Sequence, residues 1–341
     1  MTLKVLRTLI CPFCRKNLTL KHSYFKKNEN LVHATLFCDC DTYPIVGGVL
    51  FLTKDRIKDK ANLFLRQSSL PKTEEIPIFL FRLPFGNFLT VGIVSLAARI
   101  KIFKNLSFKN FMKAFIAIGI YEKKWGTYLL NRFESKSFLP AVIASSLVKK
   151  GSRVLDLASG AGHLLYILRT KTKEEEITAV ETSLPGNYLA KKYFCPHANF
   201  IYADLENPLP FKNENFDSIF VNDAFHYISN KSGLGTEIVR TLKEEGFVSL
   251  NVLHNAKFKN SFVDPIHFPD TPSGYAFHFP GLKYSVFSEK NSTGEKLKYI
   301  ERKKANGKLR ELRTFTLILS KKEINKDINA KVESLIPGGG N

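Results

Sequence analysis

The chain has 341 residues, only 5 cysteines and a formal net charge of +20. Scarce cysteine and no expected secretory signal exclude a disulfide-stapled secreted scaffold. Residues 1–60 hold 11 basic and 5 acidic side chains, 61–150 hold 14 and 4, 151–250 hold 10 and 13, and 251–341 hold 16 and 9. A mildly acidic centre between basic flanks points those flanks at an anionic partner, either RNA or an anionic membrane surface carrying a lipid substrate.

At the front, LICPFCRKNL sets Cys11 and Cys14 in a C-x-x-C knuckle, and LFCDCDTYPIVGGVLFL adds Cys38 and Cys40. Four thiolates in two pairs suit a closed tetrahedral zinc site, structural because it keeps no open position. C-x-C is the less common spacing, so His33 or an aspartate stands as an alternative fourth ligand. The run Tyr43, Pro44, Ile45, Gly47 and Gly48 resembles the small zinc-ribbon proteins that activate tRNA, rRNA and release-factor methyltransferases. That resemblance implies a module that packs on a catalytic domain or shapes a substrate entrance. Cys195, remote from the other four, reads as a buried apolar filler.

Residues 54–75 are polar and charged and read as a linker or loosely helical connection. Leu83 to Ala98 carries no charge, but Pro84 and Gly86 interrupt it and Arg82 and Arg99 bracket it. A spanning helix needs about 20 apolar residues, so this run is too short to cross a bilayer. With the apolar stretch from Phe111, it is expected to form helices over an active-site mouth, the alternative being a membrane-surface contact.

The most informative stretch is VLDLASGAGHLLYIL, from Val154 to Leu168. It reads as a strand, a tight glycine loop at Gly160 and Gly162, and a helix, the unit that binds adenosine-type cofactors in open α/β sheets. A second strand, ITAVE, ends on Glu181, the spacing at which an acid grips ribose hydroxyls. A dinucleotide site would want a third glycine where Leu165 stands, and Asp156 would repel a pyrophosphate. S-adenosylmethionine carries a cationic sulfonium instead, for which an acid is favourable.

The pattern D-x-x-x-G-x-G resembles the first motif of class I S-adenosylmethionine methyltransferases, with Ala158 where that family usually has glycine. The resemblance extends from about Leu139 to Ser320 and assigns Asp156, Ala158, Gly160, Gly162, Glu181, Asp204 and Leu205 to cofactor binding. Within it, NENFDSIFVNDAFHYI is similar to the ubiquinone- and menaquinone-biosynthesis type. His226 then fits a general base, with Asp223 or Asn222 orienting the acceptor. The segment NDAF lacks the prolines of exocyclic-amine methyltransferases, and no cysteine lies there for cytosine-carbon chemistry. A ring-nitrogen RNA enzyme stays open.

Downstream, DPIHFPDTPSGYAFHFPGLKYSVFS is expected to wall a substrate pocket, with His267 and His278 as candidate contacts. KLKYIERKKANGKLRELRTFTLILS reads as a β-hairpin turning at Asn306-Gly307.

The expected fold is α/β: a Rossmann-like seven-stranded methyltransferase sheet with helices on both faces, preceded by a small β-rich zinc ribbon and a helical segment. The expected boundaries are 1–54 for the ribbon, 55–138 for the linker and apolar helices, 139–322 for the cofactor domain and 323–341 for a flexible tail. The expected activity is S-adenosylmethionine-dependent methyl transfer to a small-molecule or lipid-like acceptor in the cytoplasm, with membrane association as a variant. The alternatives are an RNA base methyltransferase and a non-catalytic RNA- or partner-binding scaffold. Besides S-adenosylmethionine, the expected cofactor is structural zinc on Cys11, Cys14, Cys38 and Cys40.

Overall fold

The computed structural model describes residues 1–67, 106–117, 119, 122–258, 267–289, 296–301, 311–324 and 326–330. Strands in the centre are short, apolar and buried on both faces, as parallel strands covered by helices must be. They are β5 (Val154–Leu157), β6 (Ile177–Glu181), β7 (Asn199–Tyr202) and β8 (Phe216–Asn222), joined by the later part of β9 (Leu242–His254), residues 246–253. Ahead of them run β1 (Thr19–Lys27), β2 (Asn30–Phe37), β3 (Thr42–Val46) and β4 (Val49–Phe51). After them come β10 (Lys283–Ser288), β11 (Lys296–Ile300), β12 (Thr314–Ser320) and β13 (Ile328–Asn329).

All of these lie in one sheet of 13 strands, ordered β1-β2-β3-β4-β7-β6-β5-β8-β9-β12-β10-β11-β13. This corrects the expected seven. The run β7-β6-β5-β8-β9-β12-β10 is the expected sheet, and both of its edges are extended. A bare edge strand presents unpaired N–H and C=O groups. Here β4 satisfies those of β7 in parallel register, Leu50 opposite Ile201, and the pairing continues as Leu52 N–H donates to the Tyr202 carbonyl at 2.9 Å.

Side chains alternate between two cores, one per sheet face. Leu155, Leu157, Ile219 and Val221 share one face with Leu9, Tyr43 and Ile45 of the ribbon and with Leu234 and Ile238 of the helix Lys231–Thr241. Val154, Ala179 and Phe220 share the other with the helices His163–Leu168 and Leu184–Leu189. The ribbon is therefore part of the main core. Polar contacts fasten it further: Thr2 N–H donates to Asn199 Oδ1 at 2.9 Å, and Ile10 N–H to the Pro210 carbonyl at 3.0 Å. Cys195 is fully buried, as a filler should be.

The flanks of the hairpin expected around Asn306-Gly307 do not pair with each other. The turn lies outside the described residues, and the flanks β11 and β12 both pair antiparallel with β10, which lies between them. Alternation of side chains marks a strand but does not select its neighbour. Ile328–Asn329, expected in the flexible tail, pairs with Lys296 and Leu297 of β11. Within the expected linker, Arg56–Leu65 is a helix because Asp55 caps it, accepting from Ile57 and Lys58 N–H at 2.9 and 3.1 Å. The uncharged run Leu83 to Ala98 lies outside the described residues. The stretch from Phe111 falls in the helix Phe108–Ala117, where Phe111 stacks on Tyr188 at 5.6 Å. No helix among the described residues is long and apolar enough to cross a membrane.

Candidate active site

In open α/β sheets, ligands bind beyond the carboxyl ends of the strands where the strand order reverses. Here that point lies between β5 and β8. The glycine loop leaves β5 with Ala158 at φ 55°, Gly160 at φ 56° and Gly162 at φ 89°. The two glycines serve different ends. A Cβ on Gly162 would lie 2.5 Å from the Cβ of Ala190, so its bareness lets two helical segments touch. A Cβ on Gly160 would meet nothing within 4 Å, so its bareness leaves an open cradle at the mouth of the crevice. Ala158 adopts the left-handed conformation that glycine takes without strain, at a cost of about 1 kcal/mol.

Asp156 is buried in β5 opposite Ala179 and Phe220, and its Oδ1 has no hydrogen-bond partner. Burial, reinforced by the nearby charge of Glu181, pushes its carboxyl well above the usual range. Glu181 closes β6 and is also buried. Its Oε2 accepts from Gly160 N–H at 2.6 Å and its Oε1 from Ser183 N–H at 2.7 Å. A carboxylate has about four acceptor sites, so Glu181 keeps capacity for a ligand hydroxyl. Burial raises its pKa despite those N–H donors. Two buried carboxyls, an orphaned oxygen and an open glycine turn fit a cationic nucleoside such as S-adenosylmethionine. Asp204 stands exposed just past β7, its Oδ1 accepting from Glu206 N–H at 3.0 Å, while Leu205 beside it is buried.

At the end of β8, Asn222 Oδ1 is buried without a partner, and Asp223 just beyond it sits at φ 57° with its N–H donating to the Asn251 carbonyl at 3.0 Å. Sequence reasoning missed what holds Asp223. Tyr128 Oη donates to its Oδ2 at 2.8 Å, and Arg132 Nη1 lies 3.5 Å from the same oxygen. Burial raises the Asp223 pKa, and Arg132 and Tyr128 pull it partly back. The helix Lys123–Leu130 bearing Tyr128 is fastened over the loop by a 2.9 Å bond between His163 Nε2 and the Leu129 carbonyl. No motif announced this, because a tyrosine on a short helix has no local signature of its target.

His226 lies in a short 3₁₀ turn, Phe225–Tyr227, with 0% exposure and neither ring nitrogen hydrogen-bonded. It stacks on His254 at 3.9 Å between centroids and on His267 at 5.1 Å. Burial and the neighbouring histidines push its pKa down to about 2. An imidazole held there stays neutral and is a weak proton acceptor near neutral pH. His267 thus joins His226, whereas His278 turns away, its Nδ1 2.8 Å from Ser232 Oγ.

In the ribbon, Cys11 and Cys40 sulfurs lie 3.6 Å apart, Cys14 and Cys38 3.6 Å, and Cys38 and Cys40 3.4 Å. These are free thiols, not disulfides. Tetrahedral Zn–S bonds of about 2.3 Å put sulfurs about 3.8 Å apart, so the four cysteines fit a closed zinc site. His33 is not in this group: it is buried, and its Nδ1 accepts from Gly47 N–H at 3.3 Å.

Residues 155–250 match the family model described as a methyltransferase domain. A demethylmenaquinone methyltransferase of Thermotoga maritima is 33% identical over 122 residues, covering 35% of this chain and 52% of that protein. A ubiquinone/menaquinone biosynthesis C-methyltransferase of Xylella fastidiosa is 28% identical over 110 residues, covering 30% and 43%. The chain spans about half the length of the curated relatives it matches. A solved complex between the Haloferax volcanii Trm112 methyltransferase activator and a methyltransferase superposes with a TM-score of 0.46 at 19% identity, over 57% of this chain and 93% of that one. The family match and the curated relatives support a methyltransferase domain of the S-adenosylmethionine-dependent kind at the centre of the chain.

Proposed function

We propose that this protein transfers the methyl group of S-adenosylmethionine to a small-molecule or lipid-like acceptor. The observation that carries the reading is the convergence of Asp156, the bare cradle at Gly160 and the end of Glu181 on one crevice. In this reading Glu181 accepts from the ribose hydroxyls, Asp204 and Leu205 face the adenine, and Asp156 offsets the cationic end. Ala158, Gly160 and Gly162 shape the loop around it. When bound, the cofactor supplies an electrophilic methyl on a sulfonium. Much of the rate then comes from holding the acceptor in line with it.

Asp223 is our choice for the acceptor-facing acid. Tyr128 and Arg132 hold its carboxylate in one orientation beside Asn222, so it can orient a hydroxyl or take its proton. His226, buried and weakly basic, sits in the turn that follows Asp223 and supports it rather than acting as the base. The names of the two relatives make a quinone-type ring the first acceptor to try. The acceptor side of this chain, however, includes residues 267–289, which lie outside the matched domain, so the acceptor class rests on this chain's own walls. Cys11, Cys14, Cys38 and Cys40 hold zinc as a structural ion. It shapes the ribbon that pads β7 and takes no part in transfer.

The basic flanks favour one second reading, an RNA base acceptor. The deciding experiment incubates the zinc-loaded protein with labelled S-adenosylmethionine and fractionated extract. Label in the organic-soluble fraction supports the proposal, label in RNA transfers it to the second reading, and no label in any fraction sinks methyl transfer.

A further inference from the structure

The ring nitrogens of His226, His254 and His267 offer three ligand atoms that all lie within 4.8 Å of one another. His226 and His254 come from the carboxyl ends of the neighbouring parallel strands β8 and β9, and His267 from the loop that follows. We propose that these three histidines form a second metal site, separate from the cysteine ribbon, for a divalent transition ion of the zinc, cobalt or nickel kind.

Packing alone does not account for the cluster. His226 has no exposed surface, and both of its nitrogens are without a hydrogen bond. Each buried polar group left unpaired costs about 1–3 kcal/mol, which a phenylalanine in the same space would avoid. A cation that accepts the lone pair of one ring nitrogen removes the part of that cost which belongs to this nitrogen. Neutral imidazole suits zinc, copper, iron and nickel, while calcium and magnesium prefer oxygen.

The surroundings are built to hold the rings together. Phe268 N–H donates to the His226 carbonyl at 2.8 Å, tying the His267 loop to the 3₁₀ turn. Tyr275 Oη donates to the His254 carbonyl at 3.0 Å, and Ala256 N–H to the Asp270 carbonyl at 3.2 Å. Val252 lies at φ 57°, a rare conformation for a β-branched residue, at a register shift between β9 and β12. Such bulges re-aim the side chains that follow, here His254. Nitrogens around a tetrahedral ion at about 2.0–2.1 Å lie about 3.4 Å apart. The rings are stacked within 14° of parallel, so each must turn about χ2, a broad torsion, to meet one ion.

Three nitrogen ligands leave room for an oxygen ligand, the arrangement of a reactive rather than a closed site. Where the crevice acts as the acceptor site proposed above, that ligand is an acceptor oxygen, and this last clause rests on that reading. The site itself does not, because metal binding is measured without any transfer.

The test titrates Zn²⁺ by calorimetry into the full chain with its ribbon already zinc-loaded. We expect one further ion per chain, bound at least tenfold more weakly by His254→Gln and by His267→Gln, with the ribbon zinc retained in both. Should a variant misfold, Co²⁺ added to the zinc-loaded wild type is read by absorption, and visible bands without thiolate charge transfer indicate nitrogen ligands. No further ion, an unchanged ion in both folded variants, or a thiolate band from the added cobalt overturns the proposal.

Discussion

The cysteine ribbon and the histidine cluster bring candidate metal ligands together by opposite routes. The four cysteines come as two close pairs, and local turns do most of the gathering: Cys11 N–H donates to the Lys16 carbonyl at 2.8 Å and Arg15 N–H to the Cys11 carbonyl at 2.9 Å. His226, His254 and His267 are brought together by strand adjacency and loop contacts, with no shared turn. A site assembled locally declares itself by spacing. A site assembled by a sheet declares itself only after folding.

Breaking the ribbon should have the largest effect, because the zinc proposed for it would also support the β4–β7 edge and a shared core. Structural zinc contributes about 10–16 kcal/mol of apparent binding energy in small zinc domains. Cys38→Ser is therefore expected to lose the ion and to lower the melting temperature by at least about 10 °C, a shift consistent with several kcal/mol in a chain this size. Elemental analysis and calorimetric melting check both, and a zinc-free variant that melts like the wild type would show the ribbon to be independent of the sheet.

Glu181→Ala comes next. It removes the proposed ribose acceptor and also strands the N–H groups of Gly160 and Ser183. Affinity for S-adenosylmethionine should fall at least tenfold, corresponding to about 1.4 kcal/mol or more. Unchanged affinity by titration calorimetry would remove the cofactor assignment at its best-supported residue.

Asp223→Asn keeps the shape and removes the charge. Turnover is expected to fall about 100-fold while cofactor affinity stays within about twofold, and Tyr128→Phe should cost about 1 kcal/mol through one lost hydrogen bond. Equal losses in affinity and turnover for Asp223→Asn would make it a structural residue. Ala158→Gly should have the smallest effect. Relief of about 1 kcal/mol of left-handed strain is offset by about 0.4–1 kcal/mol of added freedom in the unfolded chain. Melting within about 2 °C of wild type is expected, and a larger drop would mean that the Ala158 methyl packs against something essential.

How much was legible follows from how far apart the partners lie. Asp156, Gly160, Gly162 and Glu181 fall within one strand–loop–helix–strand unit, where covalent spacing alone sets the geometry, so their meeting was readable. Tyr128 and Asp223 are 95 positions apart, and nothing in either neighbourhood encodes the other. The same holds for the strand neighbours of β10. The pattern of β11 and β12 announced two strands, yet only the finished sheet put β10 between them.

By itself, then, the order of residues determined the glycine loop, the carboxylates around it and the cysteine knuckles, because each depends on φ values and spacings within a few residues. The tertiary structure alone decided that the ribbon joins the sheet through β4 and β7, that Tyr128 and Arg132 grip Asp223, and that three histidines meet at the strand ends. Those contacts depend on which edges and faces find each other when two cores close, and that is a property of the whole chain's burial rather than of any local stretch.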